Sequence, residues 1–384
     1  MQARHNVHWV NTLFLSGTLL TTLVAVPWYI WTFGLEPFQV GLFFFFFTAT
    51  AMSITLGYHR LFSHLTFQAS WPVRLFTLLF GAAAFESSAL TWCADHRRHH
   101  KHVDHEEEDP YAITKGFFHA HIGWLIFRAQ PETPLTWVRD LQKDKMAVLQ
   151  HQYYVPIAIA MGFFLPALIG YIGGGPVGAL GGFLISGAAR IVFVHHTTFC
   201  INSLCHWIGS RPYSGKCSAR DSFLMALVTF GEGYHNYHHE FQHDYRNGVK
   251  PWQFDPTKWT IWTLSKLGLV KNLRTVPEEK ILRAEIEEKR RILNDSLSKC
   301  TVPLSETIRV SLDSAHEALE NALANWQTSL QHYREVASSQ QSEMAHRARE
   351  IRENYRKAAE NLREAIEEWQ RVHKSALEFA GVRA

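Results

Sequence analysis

The feature that most constrains this chain is a pair of apolar hairpins. From Trp9 to about Phe33, and again from Phe38 to about Gly57, the residues are apolar for roughly the twenty positions that a helix needs to cross a bilayer core. The connector Gly34-Leu35-Glu36-Pro37 is short enough to force an antiparallel pair. A second pair runs from Val155 to Ile172 and from Val177 to Val194, joined by Gly173-Gly174-Gly175-Pro176. Four spans of this kind predict an all-α integral membrane protein with both termini on one side.

Charge gives the orientation. Between Tyr58 and Tyr154 lie Arg60, Arg74, Arg97, Arg98, Lys101, Lys115, Arg128, Arg139, Lys143 and Lys145, whereas the two connectors hold no Lys or Arg. The asymmetry predicts a cytosolic location for the long central segment and for both termini. One run resists a simple count, because Val73 to Trp92 is apolar but a crossing there would split the central segment between two faces. It is read as re-entrant or interfacial, and Glu86 in its middle supports that, since a carboxylate facing lipid is costly. The first apolar run is too long for a signal-peptide core and lacks a small-residue cleavage site, so it reads as a retained anchor.

Composition averages two unlike regions. The chain is 47% hydrophobic overall, but the apolar residues crowd into residues 9 to 201, and the stretch after about Thr275 is charged and polar. The expected division is a membrane domain over 1–274 and a cytosolic helical tail over 275–384. A net charge of +3 is too small to argue for nucleic acid. Cys93, Cys200, Cys205, Cys217 and Cys300 form no C-x-x-C pair, which argues against an iron–sulfur cluster, a thioredoxin-like site or a disulfide framework. The run Gly173-x-Gly175-x-x-Gly178 has a dinucleotide-binding spacing, yet no strand precedes it. Its glycines, with Gly170 and Gly182, read instead as points of close helix approach.

Chemistry concentrates in three histidine boxes on the predicted cytosolic side. His96, His99 and His100 stand at i, i+3 and i+4, which on a helix turns three imidazoles to one side, and His235, His238 and His239 repeat the spacing. His59 and His64 are five apart, about 140° around an ideal helix, so that box is expected to straddle a helix end. Eight imidazoles are too many for one ion, so two metals are implied. Ligand type alone leaves zinc, copper and iron open. A dinuclear site facing a reducing cytosol suits iron and dioxygen. Asp95, Asp104, Glu106, Asp221 and Glu232 are candidates to hold the ligand rings in place. The isolated His5, His8, His151, His195, His196, His243, His316, His332, His346 and His373 read as ordinary polar residues.

In the tail, Thr275 and Glu278 form a capping box for a helix to about Ser298. Leu319, Leu323, Trp326, Leu330, Tyr333 and Ala337 then step by four and three, as do Met344, Ala348, Ile351, Tyr355, Ala358, Leu362, Ala365, Trp369, Val372 and Ala376. Residues Ser338 to Ser342 between them read as a turn or as a skip in one long helix. These seams predict helices packed on each other, on a second copy or on a partner.

Taken together, the motifs His59-Arg-Leu-Phe-Ser-His64, Asp95-His96-Arg-Arg-His99-His100-Lys101 and Gly231-Glu-Gly-Tyr-His235-Asn-Tyr-His238-His239 closely resemble the boxes of membrane acyl-CoA Δ9 desaturases. The resemblance runs from about Val40 to about Pro256. It includes Gly116-Phe-Phe-His-Ala-His-Ile-Gly-Trp124, Asn202-Ser-Leu-Cys-His206 and Gly209-Ser-Arg-Pro-Tyr213. It implies four membrane helices under a cytosolic cap with two irons and nine histidines. By position, one iron would take His59, His64, His96, His100 and His238. The other would take His99, His206, His235 and His239, with Asn202 reaching it through a water. No catalytic side chain is implied beyond these ligands.

The same resemblance implies an acyl thioester in a kinked tunnel, a cis double bond between C9 and C10, an oxidant made from O₂, and two electrons per turnover from outside. Arg97, Arg98, Lys101 and Arg128 are candidates for headgroup phosphates. Ala94 and Ala129 stand where the family commonly has basic residues, which keeps an intact acyl lipid open beside acyl-CoA as substrate. A hydroxylase on the same scaffold and a His-rich metal-binding membrane protein without turnover are the competing readings. With no flavin, nicotinamide or haem domain in view, electrons must come from a reductase through a ferredoxin or a cytochrome b5. The bilayer is the bacterial inner membrane or the endoplasmic reticulum.

Overall fold

The computed structural model describes residues 6–128, 131–298, 306–338 and 345–379. Two compact units divide the chain, Met1–Val276 and Pro277–Ala384.

The first unit opens with a two-residue strand β1 (Asn6–Val7) and helix α1 (Trp9–Phe33). Gly34 ends α1 with φ 81°, in the left-handed region that favours glycine. Helix α2 (Pro37–Ser63) starts at once, because Pro37 sits where a missing N–H costs nothing and Glu36 and Gln39 form a reciprocal cap. A buried polar knot ties the hairpin down: Gln39 Nε2 donates to the Tyr29 hydroxyl at 2.5 Å, and that hydroxyl donates to the Val177 carbonyl at 2.9 Å.

Beyond Met52, α2 does what a straight α-helix would not. Residues Ser53–Ser63 widen into a π-helix that carries the helix past Gly57 to Ser63, so the first histidine box straddles the helix end as expected, with His59 inside and His64 at the cap. The backbone N–H of His64 donates to the His59 carbonyl at 3.1 Å, an i→i+5 bond. This widening brings residues five apart onto one face and sets the two rings 4.8 Å apart. The 140° offset expected of an ideal helix disappears.

Strand β2 (Gln68–Ala69) leads to α3 (Trp71–Ala82), an apolar helix of 12 residues. At 1.5 Å per residue it is about 18 Å long, short of a bilayer core of about 30 Å. The chain then turns through Phe85 (φ 58°) and Ser87 (φ 81°). Ser88 caps α4 (Ala89–His102) by accepting from the Thr91 N–H. Glu86 lies in that turn with its carboxyl oxygens buried, and burial pushes its pKa up to about 8. Strand β3 (Phe127–Arg128) pairs antiparallel with β1, Asn6 opposite Arg128. Helix α5 (Lys145–Gln152) follows, its first turn capped by Asp144.

The run Tyr154–His206 is helical apart from Gly174 (φ −158°, ψ 24°) and Gly175 (φ 61°, ψ −150°), which divide it into α6 (154–173) and α7 (176–203). A Cβ on Gly170 would lie 2.2 Å from the Gly178 carbonyl oxygen, so the absence of a side chain is what lets these helices touch. Helix α7 continues past Val194 to Ser203. Among the described residues, three helical runs are therefore long and apolar enough to cross a membrane, Trp9–Phe33, Pro37–Ser63 and Tyr154–His206. Their outward residues, among them Trp31, Phe164 and Ile172, are exposed as a lipid-facing surface requires. The protein is mostly helical and built for a membrane.

The remainder of this unit is short helices, α8 (Phe223–Val228), α9 (His235–Glu240) and α10 (Pro256–Lys266), with strand β4 (Val270–Lys271) paired to β2. A core of Ile54, Tyr58, Leu61, Leu78, Leu90, Cys93 and Ile261 joins the end of α2 to α3, α4 and α10. It fixes the platform on which the histidine boxes stand.

The second unit holds α11 (Glu278–Ser298), α12 (Glu306–Ser338) and α13 (Ala345–Phe379). Leu319, Leu323, Trp326 and Leu330 of α12 form one core with Leu362 and Trp369 of α13 and Ile286 of α11. Tyr333 stacks on Tyr355 with centroids 5.2 Å apart, so the two heptad runs lie side by side rather than end to end. Residues 339–344 between them, and the seam side chains of Ala337, Met344 and Ala348, lie outside the described residues.

Candidate metal centre

Four elements supply the imidazoles. The π-helical end of α2 brings His59 and His64, α4 brings His96, His99 and His100, the turn after α7 brings His206, and α9 brings His235, His238 and His239. They gather into two groups: His59, His64, His96, His100 and His238 in the first, and His99, His206, His235 and His239 in the second. Within each group, one ligand atom per residue lies within 4.8 Å of every other. Helices α4 and α9 each serve both groups, because residues at i, i+3 and i+4 share a face but fan across it.

The closest approaches are between ring nitrogens. In the first group His64 Nε2 lies 2.8 Å from His96 Nε2, and His238 Nε2 lies 3.0 Å from His59 Nε2 and 3.1 Å from His100 Nε2. In the second, His235 Nε2 lies 3.0 Å from His206 Nε2 and 3.1 Å from His239 Nε2. Burial and then crowding by neighbouring imidazoles hold His64, His96, His100, His235, His238 and His239 well below the usual histidine range. Neutral rings with converging lone pairs repel one another, and a cation at each focus is the chemistry that resolves this. The donor set fits two metal ions.

The atoms behind the rings fix their orientation. Glu232 Oε2 lies 2.8 Å from His59 Nδ1. Burial opposes ionisation of Glu232, but His59 and Arg60 hold its carboxyl down at about 2. Asp109 Oδ1 lies 2.9 Å from His99 Nδ1. Burial opposes its charge too, yet His99 and the backbone N–H groups of Tyr111 and Asp104 keep the Asp109 carboxyl below the usual range. Asp104 reaches His206 indirectly through Ser218. Asp221 Oδ1 accepts from the N–H groups of Asn236 (2.7 Å) and Tyr237 (3.1 Å), which anchors the first turn of α9.

Of the five carboxylates expected to hold ligand rings, Glu232 does so directly and Asp104 through Ser218, whereas Asp221 anchors the backbone of α9. Asp95 instead faces the cavity beside Arg98 and Thr133, where burial raises its pKa to about 6. Glu106 is exposed. Asp109 and Ser218 were not among the expected residues. Asp109 closes the acidic run Glu106-Glu107-Glu108, which reads as a solvated stretch, and the Pro110 after it is the only local sign of a fixed turn.

The headgroup candidates stand in different surroundings. All five N–H groups of Arg97 are taken within the protein, by the carbonyls of Phe62, Ser63 and Trp137 and by both oxygens of Asp140, so Arg97 is a structural clamp. Arg98 lines the cavity and lies 3.4 Å from the Pro131 carbonyl and from Thr133 Oγ1. Lys101 is exposed, its ammonium 5.1 Å from the centre of the Trp137 ring. The side chain of Arg128 lies outside the described residues.

Against the metal groups opens a cavity of about 740 Å³. His59, His96, His99 and His235 form part of its wall, together with Asn202, Trp92, Thr198 and the apolar Phe14, Ile54 and Phe85. Apolar walls that end on a metal-binding surface suit a long hydrocarbon chain.

Comparison with known proteins agrees with this geometry. A model of the fatty acid desaturase family matches residues 36–266, more than half of the chain. The chain belongs to the fatty acid desaturase family. A relative named probable acyl-CoA desaturase from Schizosaccharomyces pombe is 39% identical over 307 residues, covering 79% of this chain and 62% of the relative. Acyl-CoA desaturase 1 of Saccharomyces cerevisiae is 36% identical over 299 residues, covering 77% and 57%. The sn-1 stearoyl-lipid 9-desaturase of Anabaena variabilis is 34% identical over 270 residues, covering 70% and 94%. The chain thus spans about three fifths of the length of the two fungal relatives.

Proposed function

We propose that this family member is an O₂-dependent di-iron desaturase that introduces a cis double bond at Δ9 of a saturated fatty acyl chain carried on coenzyme A. The observation that carries the reading is the pairing of two imidazole groups with one apolar cavity whose wall they share. Supporting it, two fungal relatives are named acyl-CoA desaturases. The cyanobacterial relative named as a lipid desaturase keeps an intact acyl lipid as the alternative substrate.

His59, His64, His96, His100 and His238 would hold one iron and His99, His206, His235 and His239 the other. Asn202, which lines the same cavity as His99 and His235, would reach the second through a water. When bound, the irons supply the activation of O₂ and the removal of hydrogen. The overall reaction takes the saturated chain, O₂, two electrons and two protons to the alkene and two waters. The protein's own share is to keep the imidazoles neutral, hold the chain beside them within the apolar wall and exclude bulk water. A hydrocarbon has no polar handle, so positioning must come from cavity shape and from the headgroup, for which Arg98, Lys101 and Arg128 are the cations proposed.

The architecture proposed is four membrane spans, α1, α2, α6 and α7, with the metal-bearing segments and both termini in the cytosol. The two hairpin connectors hold no Lys or Arg, whereas the segment between the hairpins and the chain after them hold many. The membrane is the bacterial inner membrane or the endoplasmic reticulum. Residues 1–274 form the desaturase domain, and 275–384 serve self-association or docking of the electron donor, a ferredoxin or cytochrome b5 with its reductase. Expression in cells that lack their own desaturase tests the reading. Δ9-monounsaturated acyl chains should appear in their lipids, and restored iron-dependent hydroxylation without double bonds would favour the hydroxylase instead.

A further inference from the structure

The two imidazole groups differ in what stands behind them. In the first, the supporting carboxylate is Glu232, held by Arg60 and by Asn247, whose Nδ2 donates to Glu232 Oε2 at 2.7 Å. In the second, support comes from the loop that follows α4. Asp109 takes His99 Nδ1 with one oxygen and the Asp104 N–H with the other, at 2.9 and 3.1 Å. Asp104, at φ 67°, is held in a left-handed conformation that few non-glycine residues adopt. That conformation aims its carboxylate at Ser218: Oδ2 accepts from the Ser218 N–H at 2.7 Å and Oδ1 from the Ser218 hydroxyl at 2.5 Å. The Ser218 oxygen in turn lies 2.7 Å from His206 Nδ1.

The direction of these bonds follows from the donors available. A carboxylate only accepts, so the Ser218 hydroxyl donates to Asp104 and its oxygen accepts from His206 Nδ1–H. This fixes His206 in the tautomer whose Nε2 lone pair faces His235, and passes part of the Asp104 charge to the ring. Asp104 is thereby joined through Asp109 to His99, so one loop supports two of the four imidazoles of the second group. Tyr111, from the same loop, points its hydroxyl at His96 Nδ1 from 3.5 Å, the outer limit for a hydrogen bond.

We propose that Ser218 and Asp104 are positioning residues for the second metal alone, so that the two metal positions are supported separately and can be emptied one at a time. The proposal rests on the two-metal reading above. Its consequence is an asymmetric centre, in which the second position depends on a hydroxyl relay to His206, the imidazole outside the three boxes, as well as on the direct Asp109 contact to His99, while the first is supported by Glu232.

Full-length protein in nanodiscs, stripped of metal and titrated anaerobically with Co²⁺ under visible absorption, tests this, with Fe²⁺ per chain by elemental analysis as the second readout. The parent should take two equivalents. Ser218→Ala should keep one at parental affinity and bind the other about 10–100-fold more weakly, the usual effect of losing such a partner. Ser218→Thr, which retains the hydroxyl, should restore it, and Asp104→Asn, which keeps the shape without the charge, should weaken the same equivalent. Adding His64→Ala to Ser218→Ala should weaken the remaining one. A parent that takes fewer than two would overturn the two-metal reading itself. With two in the parent, undiminished binding by both Ser218→Ala and Asp104→Asn, or equal weakening of both equivalents, would overturn the proposal.

Discussion

Arg60 and Glu232 form an ion pair almost closed to solvent, Nη2 to Oε1 at 2.9 Å with the two side chains 1% and 2% exposed. Asp255 binds the same guanidinium at 3.0 and 3.1 Å, and the other oxygen of Glu232 lies against His59. A charged cluster thus braces a metal-site ring within a buried core. Glu232→Ala leaves Arg60 with Asp255 as its one carboxylate partner beside the Tyr245 carbonyl, and removing one partner of a buried pair typically costs about 3–5 kcal/mol. Thermal unfolding of the metal-free variant should show a clear drop in midpoint. An unchanged midpoint would mean that the pair is incidental to the fold.

Acid should destabilise the metal-free protein. Seven of the nine imidazoles have pKa values depressed in the folded state by burial and by one another. In the unfolded chain they take up protons near the ordinary value of about 6.5. Between the folded and unfolded values the unfolded state binds more protons, so stability is complete above about pH 6.5 and is lost as pH falls below it. Metal binding should weaken in the same direction, since only neutral rings are ligands. A midpoint that holds steady from pH 7.5 to 5.5 would contradict this.

His206→Ala should abolish turnover and weaken one of two metals, though His206 belongs to none of the boxes. Normal turnover would remove it from the ligand set. His206 also marks the limit of what sequence spacing shows. The boxes on α4 and α9 were legible because i, i+3 and i+4 fix a helical face, and the spans because apolar runs of bilayer length have few other solutions. A lone histidine carries no spacing, and His206 entered only through resemblance to a family. The π-helical turns that align His59 with His64 leave no periodic trace, and Asp109 and Ser218 act through contacts between distant segments. Arg97 looked like a headgroup ligand because charge is visible in a sequence, whereas the carbonyls of Phe62, Ser63 and Trp137 that occupy it are not.

Topology can be read by reporter fusions. Fusions after Glu36 and Gly174 should report the non-cytosolic side, and those after Glu108 and Gln253 the cytosol, as the distribution of Lys and Arg requires. Helix α3, at 12 residues, is too short to reverse this count. A non-cytosolic Glu108 would refute the four-span arrangement.

The second unit has its own core of Leu319, Leu323, Trp326, Leu362 and Trp369, so the tail should be separable from the chemistry. A chain ending near Leu273 should keep its metal and desaturate when electrons are supplied in excess, while losing oligomeric state or coupling to its donor. Loss of iron together with the tail would show that these helices brace the metal centre.

The central claim is tested most directly by product analysis with purified, iron-loaded protein in nanodiscs, given saturated C18 acyl-CoA, O₂ and a reductase system that supplies electrons. The account predicts a cis Δ9 double bond in the acyl chain, dependent on both O₂ and iron, with two electrons consumed per double bond formed. Full activity from a zinc-loaded, iron-free preparation, or a hydroxylated chain with no alkene, would contradict it.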